Sequence, residues 1–278
     1  MIAGAALLLC NDAATKYLTQ SYPLGQVIGL RQATTLLAIV PYVMTVTGWR
    51  AVRVVHWPGH AIRGMLFVAG AFLMVTSLSV LPLTTVLAIN YASPIFVVLL
   101  SAPFLGERVS ARRWIAVLIG FAGVLLIVRP GGVGFQWILL LPLLTALANG
   151  SRDIVTRRLS RTDTSISVLF SSTVIVMLAG LTTAPFGWVA VDTRGALLFL
   201  LTGLCNAGAH FLMIESLRLG EASLVSPFRY TSFLWAIVFG YLLWDEIPGL
   251  WVLLGVGLII CGSLYGARGE SSKMSRIN

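Results

Sequence analysis

The stretch "CNDAATKYLT", Cys10–Thr19, closes the apolar opening run "MIAGAALLL" and carries an acid and a base four residues apart. The pattern returns as "SRDIVTRRLS", Ser151–Ser160: Asp153 matches Asp12, Thr156 matches Thr15, Arg157 matches Lys16 and Leu159 matches Leu18. Charges inside apolar runs, repeated half a chain apart, set the question that the rest of the sequence answers.

The chain has 278 residues, of which 58% are hydrophobic and only 10% charged, and its mean hydropathy is +0.92. A soluble domain is about 25% charged. A chain this poor in charge cannot cover a water-facing surface, so it reads as an all-α integral membrane protein in the lipid bilayer. The net charge of +9 sits in short gaps between apolar runs, which is a topology signal. No basic cluster interleaved with aromatics marks a nucleic-acid surface. Cys10, Cys205 and Cys261 lie inside apolar runs without metal-ligand spacing, so free thiols are expected, with no disulfide, metal or cofactor. The opening run lacks a basic n-region and a small-residue cleavage site and carries Asp12, so it reads as a retained first helix.

A span needs about 20 mainly apolar residues. Ten candidates follow: 1–19, 23–48, 61–80, 84–106, 110–129, 135–158, 165–187, 195–218, 222–244 and 248–267. With the N-terminus inside, the inner loops and C-terminal tail hold thirteen of the nineteen basic residues, among them Arg50, Arg53, Arg63, Arg108 and Arg112. The outer side holds only Lys16, Arg129 and Arg194, while Arg31, Arg152 and Arg229 fall within spans. That bias predicts both termini in the cytoplasm, in a cell inner (plasma) membrane.

Glu107 and Glu246, 139 positions apart, each follow one apolar helix and precede another. In that register "FLM" at 72–74 falls on "FLM" at 211–213, and Tyr91, Ser93, Gly123 and Arg129 fall on Tyr230, Ser232, Gly262 and Arg268. The opening pair fits at an offset of 141. The unit is thus about five helices: residues 1–132, then 133–270, then a cytoplasmic tail at 271–278. Five is odd, so the copies enter the membrane from opposite sides. Two inverted five-helix repeats around a central cavity are the plan of many secondary transporters.

Three segments carry a resemblance: "PLGQVIGLRQ" at 23–32, "SPIFVVLLSAPFLGERVSARRWIAVLIGFAGVLLIV" at 93–128 and "SPFRYTSFLWAIVFGYLLWDEIPGLWVLLGVGLIICG" at 226–262. The paired Glu followed by a Gly-spaced helix resembles the ten-helix EamA family of the drug/metabolite transporter superfamily, over nearly the whole chain. The resemblance implies ten helices in two inverted halves and transport without ATP. It leaves the substrate open, since members carry amino acids, nucleosides, riboflavin, S-adenosylmethionine and other metabolites, inward or outward. One departure stands out. Pro94 precedes Glu107 by thirteen residues, but the equivalent of Pro94 before Glu246 is Phe233, and Pro227 lies six residues earlier.

Asp12 with Lys16, and Asp153 with Arg157, are i,i+4 pairs with the acid first, the better order on a helix. Ionised groups in hydrocarbon face a partner or water. The pairs therefore read either as pathway groups for proton coupling or gating, or as structural ion pairs near each surface. Arg31 and Arg229 each lie about eight residues into a span. Each reads either as an anchor for an anionic group or as an interhelix clamp to Asp12 or Glu215, the clamp favoured for Arg31 and the anchor for Arg229. Asn206 and His210 share a helix face, as do Asn90, Ser93 and Pro94. Tyr91 and Tyr230 are repeat-equivalent, and Trp235 falls one turn beyond Thr231. Asn90, Tyr91, Asn206, His210, Arg229, Tyr230 and Trp235 are the expected substrate-binding wall. The bland alternative is helix-to-helix glue. Pro94, Pro142 and Pro227 each free a carbonyl inside a span and permit rocking.

The expected function is secondary active transport of a small polar metabolite by alternating access. Export of an amino acid or related compound ranks first. Uptake of a vitamin or nucleotide-like metabolite such as riboflavin or S-adenosylmethionine is the alternative, and a non-catalytic membrane scaffold is remote. Protons are one candidate coupling partner and simple exchange another. An intramembrane enzyme lacks support: the three His are His56, His60 and His210, with no HExxH and no nucleophile–base set. Both halves of the pathway lie in one chain, so a monomer suffices.

Overall fold

The computed structural model describes residues 1–106, 110–128, 136–220 and 231–274. They form α1 (Ile2–Leu18), α2 (Leu24–Tyr42), α3 (Trp57–Val80), α4 (Leu83–Asn90), α5 (Ser93–Leu105), α6 (Ala111–Val128), α7 (Leu140–Leu159), α8 (Ser165–Leu181), α9 (Thr193–Leu219), α10 (Thr231–Trp244) and α11 (Leu250–Met274). No strand occurs among the described residues. Successive long segments run antiparallel. The start of α1 and the end of α11 share one end of the bundle, the terminal end, and Arg112 at the start of α6 lies over Tyr265 late in α11 there.

The distribution of polarity is inverted relative to a soluble protein. Leu37, Met65, Phe104, Leu118, Leu204 and Leu242 are exposed, whereas Gln32, Thr35, Arg63, Asp153, Thr156 and Thr202 are buried. In hydrocarbon only the apolar face has a favourable solvent, so polar groups must find each other inside.

Some helices are shorter than the expected spans of about 20 residues, α1 and α8 having 17 residues each. Among the described residues, five segments are long and apolar enough to cross a bilayer: Leu24–Thr47, Trp57–Val80, Leu83–Leu105, Trp137–Leu159 and Thr193–Leu219. Shorter apolar stretches, Trp114–Val128, Ser165–Leu181, Trp235–Trp244 and Leu250–Gly262, lie within α6, α8, α10 and α11, and α1, with Asp12 and Lys16, belongs to neither group. Several boundaries move for local reasons. Pro58 sits in the first turn of α3, where its missing N–H costs nothing, so that helix starts at Trp57. Arg63 is then a buried helical residue and not a loop charge. The fourth expected span is broken at Tyr91–Ala92, with Pro94 in the first turn of α5. After Pro41 the backbone of α2 loosens into a π-helical turn, Val43–Thr47. Pro142 frees no mid-span carbonyl: it lies in the first turn of α7, and the residue four before it belongs to a 3-10 turn, Trp137–Leu139. Thr164 and Asp192 cap α8 and α9 through their side chains.

The helix pairings have a pattern. The pair α1–α9 is matched by α7–α3, and α2–α9 by α8–α3, while α2–α8 and α6–α11 pair directly. The last two crossings are the closest. A Cβ on Gly180 of α8 would lie 2.5 Å from the Cα of Gly29 in α2, and one on Gly123 of α6 would lie 2.5 Å from the carbonyl oxygen of Gly255 in α11. Small residues at these points let backbones touch, which is how helices associate without a hydrophobic drive.

Candidate functional site: a polar chamber between the two halves

Six segments surround a chamber with about 850 Å³ of space between their atoms, the mouth included. Its wall draws on α1, α2, α3, the α4–α5 break, α7 and α9. The break is what opens the wall on one side. It brings Asn90, Tyr91, Ser93 and Pro94 to the chamber within a single turn.

Half of the sequence-predicted residues meet here. Asp12, Asn90, Tyr91, Pro94, Asn206 and His210 all line the chamber. Pro227, Arg229 and Tyr230 lie outside the described residues. Trp235 does not line the chamber, and its side chain is 56% exposed on α10. Its position one turn beyond Thr231 does not bring it to the wall.

The two acid–base pairs are not pairs. Lys16 turns away from Asp12 to form an ion pair with Glu246, donates to the Leu81 carbonyl at 3.1 Å and lies 5.1 Å above the Trp244 ring. Glu246 thus ties the α10–α11 connection to α1. Arg157 turns away from Asp153 in the same manner and donates to the carbonyls of Leu217 (2.9 Å) and Arg218 (3.3 Å) at the end of α9. Each base thus takes its partners from distant segments, Lys16 a carboxylate and a carbonyl, Arg157 the free carbonyls at the end of α9. Asp153 instead lies 3.9 Å from Arg152 and feels the charge of Arg63. Asp12 accepts from the Asn11 amide at 3.0 Å and is attracted by Arg31.

The Thr of each repeated stretch takes a buried arginine. Arg31 of α2 reaches Thr15 at 3.4 Å, and Arg63 of α3 donates to Thr156 at 2.8 Å, to the Val168 carbonyl at 3.2 Å and to Ser172. Asn206 is partly consumed as helix glue: its amide donates to Gln32 (2.9 Å) and Thr35 (3.1 Å) on α2. His210 meets the edge of Phe67, with ring centroids 4.9 Å apart, and the Arg152 guanidinium lies 4.9 Å from the same ring. Asn149 donates to Asn90 at 3.1 Å across α7 and α4.

Asn11, Arg31, Phe67, Asn149 and Arg152 were missed as wall residues. Thr145, Asn149 and Arg152 stand at i, i+4 and i+7, one polar face of an apolar helix, and that spacing was available in the sequence. Phe67 had no such signal. Among the described residues no group of His, Cys, Asp and Glu is placed to hold a metal ion.

The sequence pattern of the EamA-like transporter family matches residues 1–129 and, a second time, residues 136–265. The chain belongs to that family. EamA-like proteins are multi-pass membrane transporters, not enzymes. The chain is 31% identical to a riboflavin transporter of Rhizobium johnstonii over 97% of its length and 90% of the relative's. It is 24% identical to an S-adenosylmethionine uptake transporter of Rickettsia bellii, over 96% and 91% of the two chains. It is also 24% identical to the pseudopaline exporter CntI of Pseudomonas aeruginosa, over 92% and 90%. A solved crystal structure shares the fold, with a TM-score of 0.69 at 21% identity, covering 95% of this chain and 94% of that one. This EamA-like chain is accordingly a transporter of small metabolites.

Proposed function

We propose that this transporter moves a small polar metabolite across the inner membrane by alternating access, with an amino acid or related compound as the first substrate class and export as the first direction. The observation that carries this reading is the chamber wall, where buried charges of both signs, Asp12, Arg31 and Arg152, stand beside amides and aromatics. Buried ionisable groups in a membrane interior are costly and persist where they meet water or a substrate.

Two inverted repeats, residues 1–132 and 133–270, account for the exchange of helix partners between halves and for the double match to the family pattern. Under this reading ten segments cross the bilayer, the shorter ones packed inside the bundle or met by locally thinned lipid. Both termini then face the cytoplasm, as the basic residues of the connecting loops ask. Asp12 serves as the protonatable group for coupling, and the α4–α5 break at Pro94 serves as the hinge. One chain supplies the whole wall, so a monomer is sufficient.

A second reading, riboflavin, is favoured by the 31% identical relative. The Asn90–Asn149 amide pair and the Phe67–His210 edge suit a flat heterocycle with imide groups. Proteoliposome counterflow with labelled amino acids, S-adenosylmethionine and riboflavin tests both. One class is expected to exchange saturably, and His210→Ala to slow it about tenfold or more. Folded protein that exchanges none of them sinks the reading.

A further inference from the structure

We infer that Arg31, Asn11 and Asp12 form a recognition site for the zwitterionic head of an α-amino acid, with Arg31 taking the carboxylate and Asn11 with Asp12 taking the ammonium. This rests on the transport reading of the chamber and narrows its substrate class.

The argument starts from atoms that the protein leaves unpaired. Buried polar atoms almost always have a hydrogen-bond partner, and the exceptions call for an explanation. Among the described residues, Arg31 Nε, Asn11 Oδ1 and Ser93 Oγ are buried without one, and all three residues line the chamber. Arg31 is 5% exposed, and its hydrogen bond to Thr15 spans a long 3.4 Å. A guanidinium carries five donors. A clamp whose purpose was to join α1 to α2 would use more of them, as Arg63 does with Thr156, Ser172 and Val168. Arg31 thus presents a planar cation with donors to spare, the geometry that fits a carboxylate.

The complementary half lies one helix away. The Asn11 amide nitrogen donates to Asp12 Oδ1 at 3.0 Å, which fixes the amide orientation because the carboxylate can only accept. Asn11 Oδ1 is therefore a committed acceptor beside a carboxylate, a pair suited to an ammonium. The wall thus offers a cationic donor and an anionic acceptor side by side, attracted to each other but not closed into a bidentate pair. Arg152 fits the carboxylate role less well, since its guanidinium already rests against Phe67 and beside Asp153. The remaining wall, with Asn90, Asn149, Phe67 and His210, is left for the side chain of the bound molecule.

The test measures thermal stabilisation of the purified protein by the twenty common L-amino acids, S-adenosylmethionine and riboflavin. Each amino acid or S-adenosylmethionine that binds is then compared with its α-amide and with its decarboxylated amine. The site predicts that both analogues bind about tenfold or more weakly than the parent. It also predicts that Arg31→Gln collapses the acid-to-amide ratio to about one, with Arg31→Lys restoring part of it. A purely structural Arg31 would weaken all three ligands alike. Equal binding of parent and analogues to the wild type overturns the head-group site and leaves the transporter standing. Binding of riboflavin alone overturns it in favour of the flat heterocycle. If nothing in the set binds and counterflow is silent, the transport reading falls with it.

Discussion

At the scale of the residue, this chain replaces pairs that are adjacent in sequence by partners from distant helices. Asn206 holds α9 to α2 through Gln32 and Thr35, and a leucine there would remove both bonds and leave the buried Gln32 oxygen only the long 3.4 Å contact from the Thr35 hydroxyl. Asn206→Leu is expected to cost about 1–2 kcal/mol, read as a melting temperature lower by a few degrees in detergent. A second residue lies outside the spans, in the α7–α8 connection. Burial opposes the charge of Asp163, but the Val55 N–H at 2.7 Å, the Thr162 hydroxyl at 2.7 Å and the His60 ring at 3.1 Å outweigh it. Its carboxyl is held below the usual carboxylate range. The stability it contributes is therefore full above the unfolded value near about pH 4 and is lost as pH falls through the lower folded value. Wild type and Asp163→Asn should differ in melting temperature at pH 5, and the gap should close on further acidification. A gap that widened in acid would show the sign to be wrong.

At the scale of the element, glycine contacts and proline positions decide how the helices meet. The Gly29–Gly180 crossing has no room for a methyl group, because the atoms in the way are backbone. Gly180→Ala should push α2 and α8 apart at about 1–3 kcal/mol, whereas Gly257→Ala, with nothing within 4 Å, should be neutral or slightly stabilising. Comparing the two melting temperatures checks the crossing against a general effect of glycine removal. Much of this scale was legible in the sequence: α6 and α9 fall within two residues of their expected limits. What was not legible was what prolines do in context. Pro58 and Pro142 start helices, Pro94 breaks one, and only tertiary packing tells these cases apart. The polar wall was legible where spacing revealed it, as for Asn206 and His210. It was not legible for Lys16 and Arg157, whose partners at Glu246 and Leu217 lie 230 and 60 positions away.

At the scale of the whole molecule, the proposed topology, which rests on the basic residues of the loops, places the terminal end of the bundle in the cytoplasm. Ser21 lies in the α1–α2 connection at the end away from the termini, and His56 in the α2–α3 connection at the terminal end. Both are exposed. In a chain with Cys10, Cys205 and Cys261 replaced, a membrane-impermeant maleimide applied to intact cells should label Ser21→Cys and spare His56→Cys until the membrane is opened. The reverse pattern would invert the proposed topology.

The ion pair between Lys16 and Glu246 also bears on how the chain is made. Helix α1 is 17 residues long and carries an acid and a base, each costing about 2.5–3.5 kcal/mol at a bilayer centre. Asp12 meets Arg31 as soon as α2 is synthesised, but Lys16 must wait for a carboxylate 230 positions later. Until the α10–α11 hairpin arrives, Lys16 has the Leu81 carbonyl but no carboxylate for its charge. A nascent chain arrested before Glu246 should remain open to membrane quality-control proteases, and release of the full chain closes that window.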